Sequence, residues 1–379
     1  MSNPTVQPPT LDLDRVERYL AADPANPHLL ASAIDLSLAA GKLDAARKHA
    51  DAAVALLPDD LFMAHRRGNV LIAQGELAQA AQVFAKLLQQ TPDANIAFNL
   101  ALVYFRQGDY TQALATLEPY IAADDVAPAA VTLFARTLHH LGEVSQAVAF
   151  VERHMPRCSG DTDFLAAASL LYLDNDQLDE AQRLSDAALA AGARPLEALV
   201  VSGSVALGRD DASKAKAMFG EAIAASPSDG RSWSGLGMAS LLEGNSAEAK
   251  EQLQRAVTHM PTHIGSWHTL GWCHIMRGEL SDAEQTFTQA LALDRNFGES
   301  HGGLAVVHAL QGRKSEAEEG IERALRLDKE GLSARYAQMV LSGVASDPEK
   351  FKTLALKILS ARPGPAGATL VAALNKRKR

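Results

Sequence analysis

The sequence is built from a repeat of 34 residues, and this period constrains the fold more than any other feature. Nine consecutive units run without a gap over residues 27–331, and all have 34 residues except the second, which has 33. They begin at Pro27, Leu61, Ala94, Pro128, Thr162, Leu196, Gly230, Ile264 and Gly298. Such a period is typical of a solenoid in which each unit buries its apolar face against its neighbours.

Three columns of the repeat alignment predict two closely packed helices in every unit. The twentieth residue is alanine in all nine units and the eighth is small in eight of them, which lets two helices approach closely. The fifteenth residue is glycine in seven units and aspartate, Asp176 or Asp210, in the other two. This composition favours a left-handed backbone at a helix end. We therefore expect helix A, a turn and helix B in each unit.

These columns resemble the pattern of the tetratricopeptide repeat (TPR) family. The units that begin at Gly230 and Ile264 match it best, through Trp233, Leu236, Gly237, Ala249, Ala256, Pro261, Trp267, Leu270, Gly271, Ala283, Phe287 and Ala290. The resemblance covers about four-fifths of the chain. It implies an all-α fold, a TPR superhelical solenoid of nine tandem helix-turn-helix repeats with helical caps.

The residues outside the repeats predict short terminal segments. Leu13, Val16 and Leu20 share one face of an expected N-terminal helix, and Asp347 with Pro348 opens an expected helix near the C-terminus. The predicted boundaries are a disordered N-terminus at 1–10, a capping helix at 11–26, nine repeats at 27–331, C-terminal capping helices at 332–361, and a linker and basic tail at 362–379.

Two local features predict how individual B helices begin and end. Ser281 with Glu284 fits a capping box at the start of a helix B, and an equivalent pair follows one unit later. Pro119 falls late in helix B of the third unit, where proline kinks or ends a helix. It reflects either ordinary sequence drift or a bend near residues 119–128.

The TPR resemblance implies that positions 2, 5, 9, 12 and 13 of helix A line a concave groove. That surface is rich in apolar side chains here, and a large exposed apolar patch marks an interaction site. The alternative is that these side chains pack against helix B or against the chain's own termini. The predicted partner-binding residues are His65, Asn69, Phe98, Asn99, Leu102, Phe105, Arg136, His139, Leu170, Leu173, Met238, Leu241, His268, Trp272 and Met276, and Val200 and Leu207 occupy the same positions in the sixth unit.

Two known TPR binding chemistries are not expected. TPR proteins that bind chaperone tails resemble one another in a clamp of lysine, asparagine and arginine. Here His65, Asn69 and Asn99 occupy its first three positions, but Ala129 and Leu133 occupy the next two. Without basic residues a terminal carboxylate loses its charge-assisted hydrogen bonds. The asparagine ladder of O-GlcNAc transferase is also missing, because the sixth column holds one asparagine in nine units.

Nothing in the sequence predicts an enzyme, a cofactor or a metal site. It contains no HExxH, CxxC, GxSxG or Walker A motif. We interpret the twelve histidines as structural or solvent-facing. A formal charge of −9 argues against nucleic-acid binding. The two cysteines, Cys158 and Cys273, favour a reducing compartment.

These observations predict a non-catalytic protein–protein interaction scaffold or chaperone-like adaptor. It would bind a hydrophobic or amphipathic partner segment in its groove. The alternative is a structural protein that self-assembles into homo-oligomers through its array ends or apolar face. The polar N-terminus and the lack of an 18-residue apolar run predict a cytoplasmic protein without a membrane span. The alanine- and leucine-rich, lysine-poor composition is associated with bacteria, where such proteins often serve secretion or envelope assembly.

Overall fold

The computed structural model describes residues 12–122 and 126–344, which form twenty α-helices and no β-strand. The chain forms two compact units, Met1–Ala167 and Ala168–Arg379. The boundary between them lies inside one helix, α10 (Thr162–Asp174). The predicted all-α solenoid of TPR-type helix pairs is confirmed.

In the first unit nine helices precede α10. They are α1 (Leu13–Ala22), α2 (Pro27–Ala39), α3 (Leu43–Leu56), α4 (Leu61–Ala73), α5 (Leu77–Gln90), α6 (Ala94–Gln107), α7 (Tyr110–Leu117), α8 (Pro128–His140) and α9 (Val144–Cys158). Helix α1 buries Leu13, Val16 and Leu20, the three residues that the sequence places on one face.

In the second unit ten helices follow α10. They are α11 (Leu178–Ala190), α12 (Leu196–Gly208), α13 (Ala212–Ala225), α14 (Gly230–Leu242), α15 (Ser246–His259), α16 (Ile264–Arg277), α17 (Leu280–Leu293), α18 (Gly298–Leu310), α19 (Lys314–Leu327) and α20 (Leu332–Leu341). The even-numbered helices from α2 to α18 begin at the nine residues where the alignment places the repeat starts. They are the A helices, and the odd-numbered helices from α3 to α19 are the B helices.

The turn between the two helices of a repeat depends on position 15. All nine residues at this position have positive φ, including Asp176 at 58° and Asp210 at 61°. Glycine adopts this conformation without a steric penalty, and aspartate is among the few other residues that tolerate it. The left-handed residue reverses the chain so that helix B packs back on helix A.

The spacing of small residues that recurs from repeat to repeat follows from the packing of helix B on helix A. All nine alanines at position 20 are fully buried. Four bulky side chains at position 24 take the space left by a glycine at position 8. A Cβ added to Gly68 would lie 2.5 Å from Phe84, and one added to Gly271 would lie 2.6 Å from Phe287. The small residues are therefore required by packing.

The capping-box prediction is wrong. Helix α17 begins at Leu280 and α19 at Lys314, so each serine lies inside its helix, and neither N-cap residue makes a side-chain hydrogen bond to the helix. Side-chain capping occurs at other helices. Asp60, Asp93 and Asp229 accept hydrogen bonds from backbone N–H groups at A helices, and Asp109 and Asp211 do so at the B helices α7 and α13.

Pro119 follows a helix B that is shorter than the others. Helix α7 has 8 residues and ends at Leu117, whereas the other B helices have 13 to 15. A proline has no backbone N–H and its ring clashes with the preceding turn, which ends the helix early. The predicted N-terminal segment 1–10, the helix opened by Asp347 and the tail 362–379 lie outside the described residues.

Candidate functional site

The candidate site is the inner face, which we define as the side chains at positions 2, 5, 6, 9, 12 and 13 of the A helices. In the first unit, contacts between neighbouring A helices join these positions. Arg66 of α4 makes a bidentate pair with Asp35 of α2, with Nη2 to Oδ2 at 3.0 Å. Asn99 of α6 approaches His65 of α4. The side chains at these positions therefore point to a common side.

In the second unit, two contacts reach across an intervening repeat. Arg231 at the start of α14 lies 3.4 Å from Asp174 at the end of α10, so the pair passes over α12. The rings of Trp272 in α16 and Tyr336 in α20 are 5.6 Å apart and so pass over α18.

The predicted partner-binding residues are all accessible from solvent in part. Met238 and Met276 are exposed, and the other thirteen are half-buried. Two further predictions are wrong, because Val200 and Leu207 in α12 are 3% and 7% exposed and belong to the core. Helix α12 is apolar all round, so helical periodicity alone does not identify its outward side.

His65 is the centre of a polar cluster on the first unit. Its Nε2 accepts a hydrogen bond from Asn99 Nδ2 at 2.9 Å, and its Nδ1 lies 3.5 Å from the amide of Asn69. Its ring meets Phe84 edge-on at 5.5 Å. Burial lowers the pKa of His65, and the neighbouring Arg66 lowers it further. The imidazole is therefore neutral near physiological pH, which suits an acceptor nitrogen.

Phe105 is engaged by two other rings. It contacts Tyr110 at 5.3 Å and His140 at 5.2 Å, and those two rings stack on each other at 4.5 Å. This cluster lies where α6 ends, α7 begins and α8 ends. The predicted groove residues Phe98, Leu102, Arg136 and His139 lie half-buried on the same two A helices.

Two positions of the chaperone-tail clamp, Ala129 and Leu133, carry no charge. Leu133 is 5% exposed and packs into the core of the first unit. Ala129 offers no charge, and Arg66 is already paired with Asp35.

Trp272 and His268 form the corresponding cluster on the second unit. Trp272 Nε1 donates a hydrogen bond to His268 Nε2 at 2.9 Å. The imidazole also packs edge-on against Phe287 at 5.3 Å. Burial lowers the pKa of His268, so the imidazole is neutral and its Nε2 can accept the hydrogen bond from the indole N–H. The polar atom of the indole is satisfied within the protein, and its apolar surface faces Tyr336.

Sequence reasoning missed two inner-face side chains, Phe62 and Leu310, and also Tyr336 in the helix after the last repeat. Phe62 at position 2 of the second repeat is 77% exposed, and Leu310 at position 13 of the ninth is 40% exposed. Tyr336 belongs to α20, which was expected only as a cap. The column positions of Phe62 and Leu310 could have identified both residues.

One group of side chains has the composition of a metal site. Ligand atoms of His274, Glu279 and Asp282 lie within 4.8 Å of one another, a cluster that sequence reasoning did not find. However, Glu279 already pairs with Lys250 Nζ and Arg277 Nε, both at 2.9 Å, and accepts from His274 Nδ1 at 2.7 Å. The positive charges of Lys250 and Arg277 beside this carboxylate would repel a metal ion. The arrangement fits an ion-pair network better than a metal centre.

The two cysteines have the environment of structural thiols. Cys158 and Cys273 are buried. Burial raises the pKa of both thiols, which disfavours the nucleophilic thiolate.

Comparison with known proteins supports the repeat assignment. Two tetratricopeptide repeat profiles match the chain, one at residues 33–95 and 201–262 and the other at 240–296 and 274–340. A third profile, anaphase-promoting complex, cyclosome, subunit 3, matches residues 73–154. The chain belongs to the tetratricopeptide repeat family. TPR proteins serve in general as protein–protein interaction scaffolds.

Solved structures share the fold at low sequence identity. A monomeric mutant of IFIT1 with Gppp-AAAA is 14% identical, with a TM-score of 0.57, and the match covers 97% of this chain and 95% of that one. The human IFIT1 dimer with m7Gppp-AAAA is also 14% identical, with a TM-score of 0.56 and coverages of 96% and 93%. A TPR protein from Parabacteroides merdae is 16% identical, with a TM-score of 0.47 and coverages of 70% and 98%. No curated protein matches the sequence significantly.

Among the described helices of this TPR protein, none is long and apolar enough to cross a membrane.

Proposed function

We propose that this chain is a non-catalytic scaffold or chaperone-like adaptor that binds an apolar or amphipathic segment of a partner protein on its inner face. One observation carries the proposal. Three of the four exposed large apolar side chains in the described part of the second unit are Met238, Met276 and Leu310, exposed by 38%, 47% and 40%. They lie at positions 9 and 13 of successive A helices. Exposed apolar side chains in a patch mark an interaction surface.

The fourth exposed side chain supplies a matched control. Leu327 is 42% exposed and ends the B helix α19. We would immobilise the wild type, Met276→Glu and Leu327→Glu, pass lysate of the source cells over each, and identify bound proteins by mass spectrometry. We expect a discrete set of proteins to be retained by the wild type and Leu327→Glu and lost by Met276→Glu. Equal retention on all three baits would contradict the proposal.

The proposed location is the cytoplasm of a bacterium, with partners in secretion or envelope assembly. The two buried thiols support a reducing compartment. The bacterial context rests on composition alone, and the proteins identified in the lysate experiment would test it.

A second candidate function is self-assembly, and Phe62 favours it. This side chain is 77% exposed at the first turn of α4, close in sequence to the exposed Leu56 and Leu61. Large apolar side chains at that exposure anchor protein interfaces. If the protein is an adaptor that does not self-assemble, sedimentation over a concentration series should show a monomer. Oligomers that dissociate in Phe62→Ser would favour self-assembly.

A further inference from the structure

The inner face of the second unit carries charges at position 2, on Glu197, Arg231 and Glu299, but almost none at its other positions. Positions 9, 12 and 13 of the five A helices from α10 to α18 comprise fifteen residues, of which Asp174 alone is charged. That carboxylate lies 3.4 Å from Arg231. We call these fifteen positions the uncharged stripe.

The absence of charge restricts what can bind there. A charged side chain pressed against the uncharged stripe would lose its water without gaining an opposite charge, which is costly. Arg277, at the end of α16, is directed to Glu279 at 2.9 Å. The cation adjoining the stripe at this point is therefore already paired. A partner segment that carries charges along its length is disfavoured.

The side chains of the uncharged stripe suit an apolar partner of variable shape. Met238 and Met276 are the exposed members in its centre, and methionine adapts its unbranched side chain to different surfaces. Trp272 Nε1 donates a hydrogen bond to His268 Nε2 at 2.9 Å. Its ring therefore needs no polar group from the partner and offers aromatic area for packing.

The length of the uncharged stripe matches a specific kind of segment. Five neighbouring A helices, from Leu173 in α10 to Leu310 in α18, are separated by four interhelical spacings. At about 8–10 Å each, they span roughly 32–40 Å. A partner helix rising about 1.5 Å per residue would cover this distance with roughly 21–27 residues. That is the length of a helix that spans a bilayer.

We propose that the uncharged stripe binds a continuous, uncharged apolar helix of a partner protein, of the length and character of a membrane-spanning segment. This inference rests on the proposed function and narrows it, because an amphipathic helix with charges on one face would be a poorer ligand. The chain would shield such a segment from water before it reaches its final environment.

The test uses the full chain and three labelled synthetic peptides with lysine pairs at both ends for solubility. The first has an uncharged leucine–alanine centre of about 20 residues. The second carries one lysine in that centre. The third is an amphipathic helix with the same number of leucines and charges on one face. Fluorescence anisotropy gives the Kd of each peptide for the wild type, Met276→Glu, Met238→Glu and Leu327→Glu, and circular dichroism verifies the fold of each variant.

We expect the uncharged peptide to bind the wild type at least about tenfold more tightly than either charged peptide, a difference of roughly 1.4 kcal/mol. Met276→Glu and Met238→Glu should weaken its binding by a similar factor, while Leu327→Glu should not. Met276→Glu should also reverse the preference towards the peptide with a central lysine.

Two other outcomes would overturn the inference and can be told apart. If all three peptides bind the wild type equally and Met276→Glu weakens them all, the inner face binds partners but does not select uncharged helices. If Met276→Glu and Leu327→Glu behave alike with every peptide, the proposed function fails as well.

Discussion

At the scale of single residues, Phe219 shows why glycine recurs in the A helices. Its ring is fully buried between two repeats. A Cβ on Gly203 of the same repeat would lie 2.8 Å from the ring, and a Cβ on Gly235 of the next repeat would lie 2.2 Å from it. One aromatic side chain thus requires glycine at one position of its own repeat and at one position of the following repeat.

We predict that Gly235→Ala destabilises the protein by about 1–3 kcal/mol, because the added methyl group overpacks the space occupied by Phe219. Gly220→Ala is the matched control. Gly220 lies inside α13, and a Cβ there would meet no atom within 4 Å. Alanine should stabilise that helix by about 0.5–1 kcal/mol. Urea unfolding of both variants measures the difference. An equal effect in the two variants would contradict this account of the packing.

At the scale of helices, Glu279 links three elements of the second unit. It precedes α17 and pairs with Lys250 of α15 and with His274 and Arg277 of α16. Hydrogen bonds from Lys250 and His274 lower the pKa of Glu279 from 4.5 to about 2. Similar pairs join a B helix to the turn region of the next repeat elsewhere, as in Arg47 with Glu76 at 3.0 Å.

Because the pKa of Glu279 is lowered in the folded protein, this residue makes the free energy of unfolding depend on pH. The carboxylate binds its proton more weakly in the folded protein, so its stabilising effect is complete above pH 4.5 and is lost as the pH falls towards 2. We predict that Glu279→Gln is less stable than the wild type by about 1 kcal/mol at neutral pH. The gap should narrow as the pH falls below 4.5.

Denaturant unfolding of both proteins over the range in which they remain folded measures that gap. All other carboxylates titrate in both proteins, so the difference isolates Glu279. A gap that stays constant on acidification would show that Glu279 does not stabilise through its charge.

The elements were largely predictable from sequence, and the reason is steric. Each A helix begins where the alignment places a repeat, because alanine at position 20 and the left-handed residue at position 15 admit one arrangement of the two helices. Helix termini that depend on a single hydrogen bond were harder to predict. Serine is favoured at the N-cap position, but α17 begins at Leu280, one residue before Ser281. Several residues near a turn can start a helix at similar free energy.

At the scale of the whole molecule, the repeat identifies which positions share a face but not how exposed each one is. Leu207 and Leu241 both occupy position 12, yet Leu207 is buried and Leu241 is half-buried. The exposure of a side chain depends on the neighbouring repeats as well as on its own column. Tyr336 shows the same dependence, since its contact with Trp272 comes from α20, a helix that the column pattern does not describe.

The central claim is that partners bind on the inner face, and site-specific photo-crosslinking in the source cells tests it most directly. A photoreactive amino acid would replace Met238, Met276 or Leu310 on the inner face, or Leu327 on α19 as a control of similar exposure. The account predicts that the three inner-face positions form covalent adducts with the same partner protein and that position 327 does not. Adducts at position 327 equal to those at the other three, or a partner reached from position 327 alone, would contradict it.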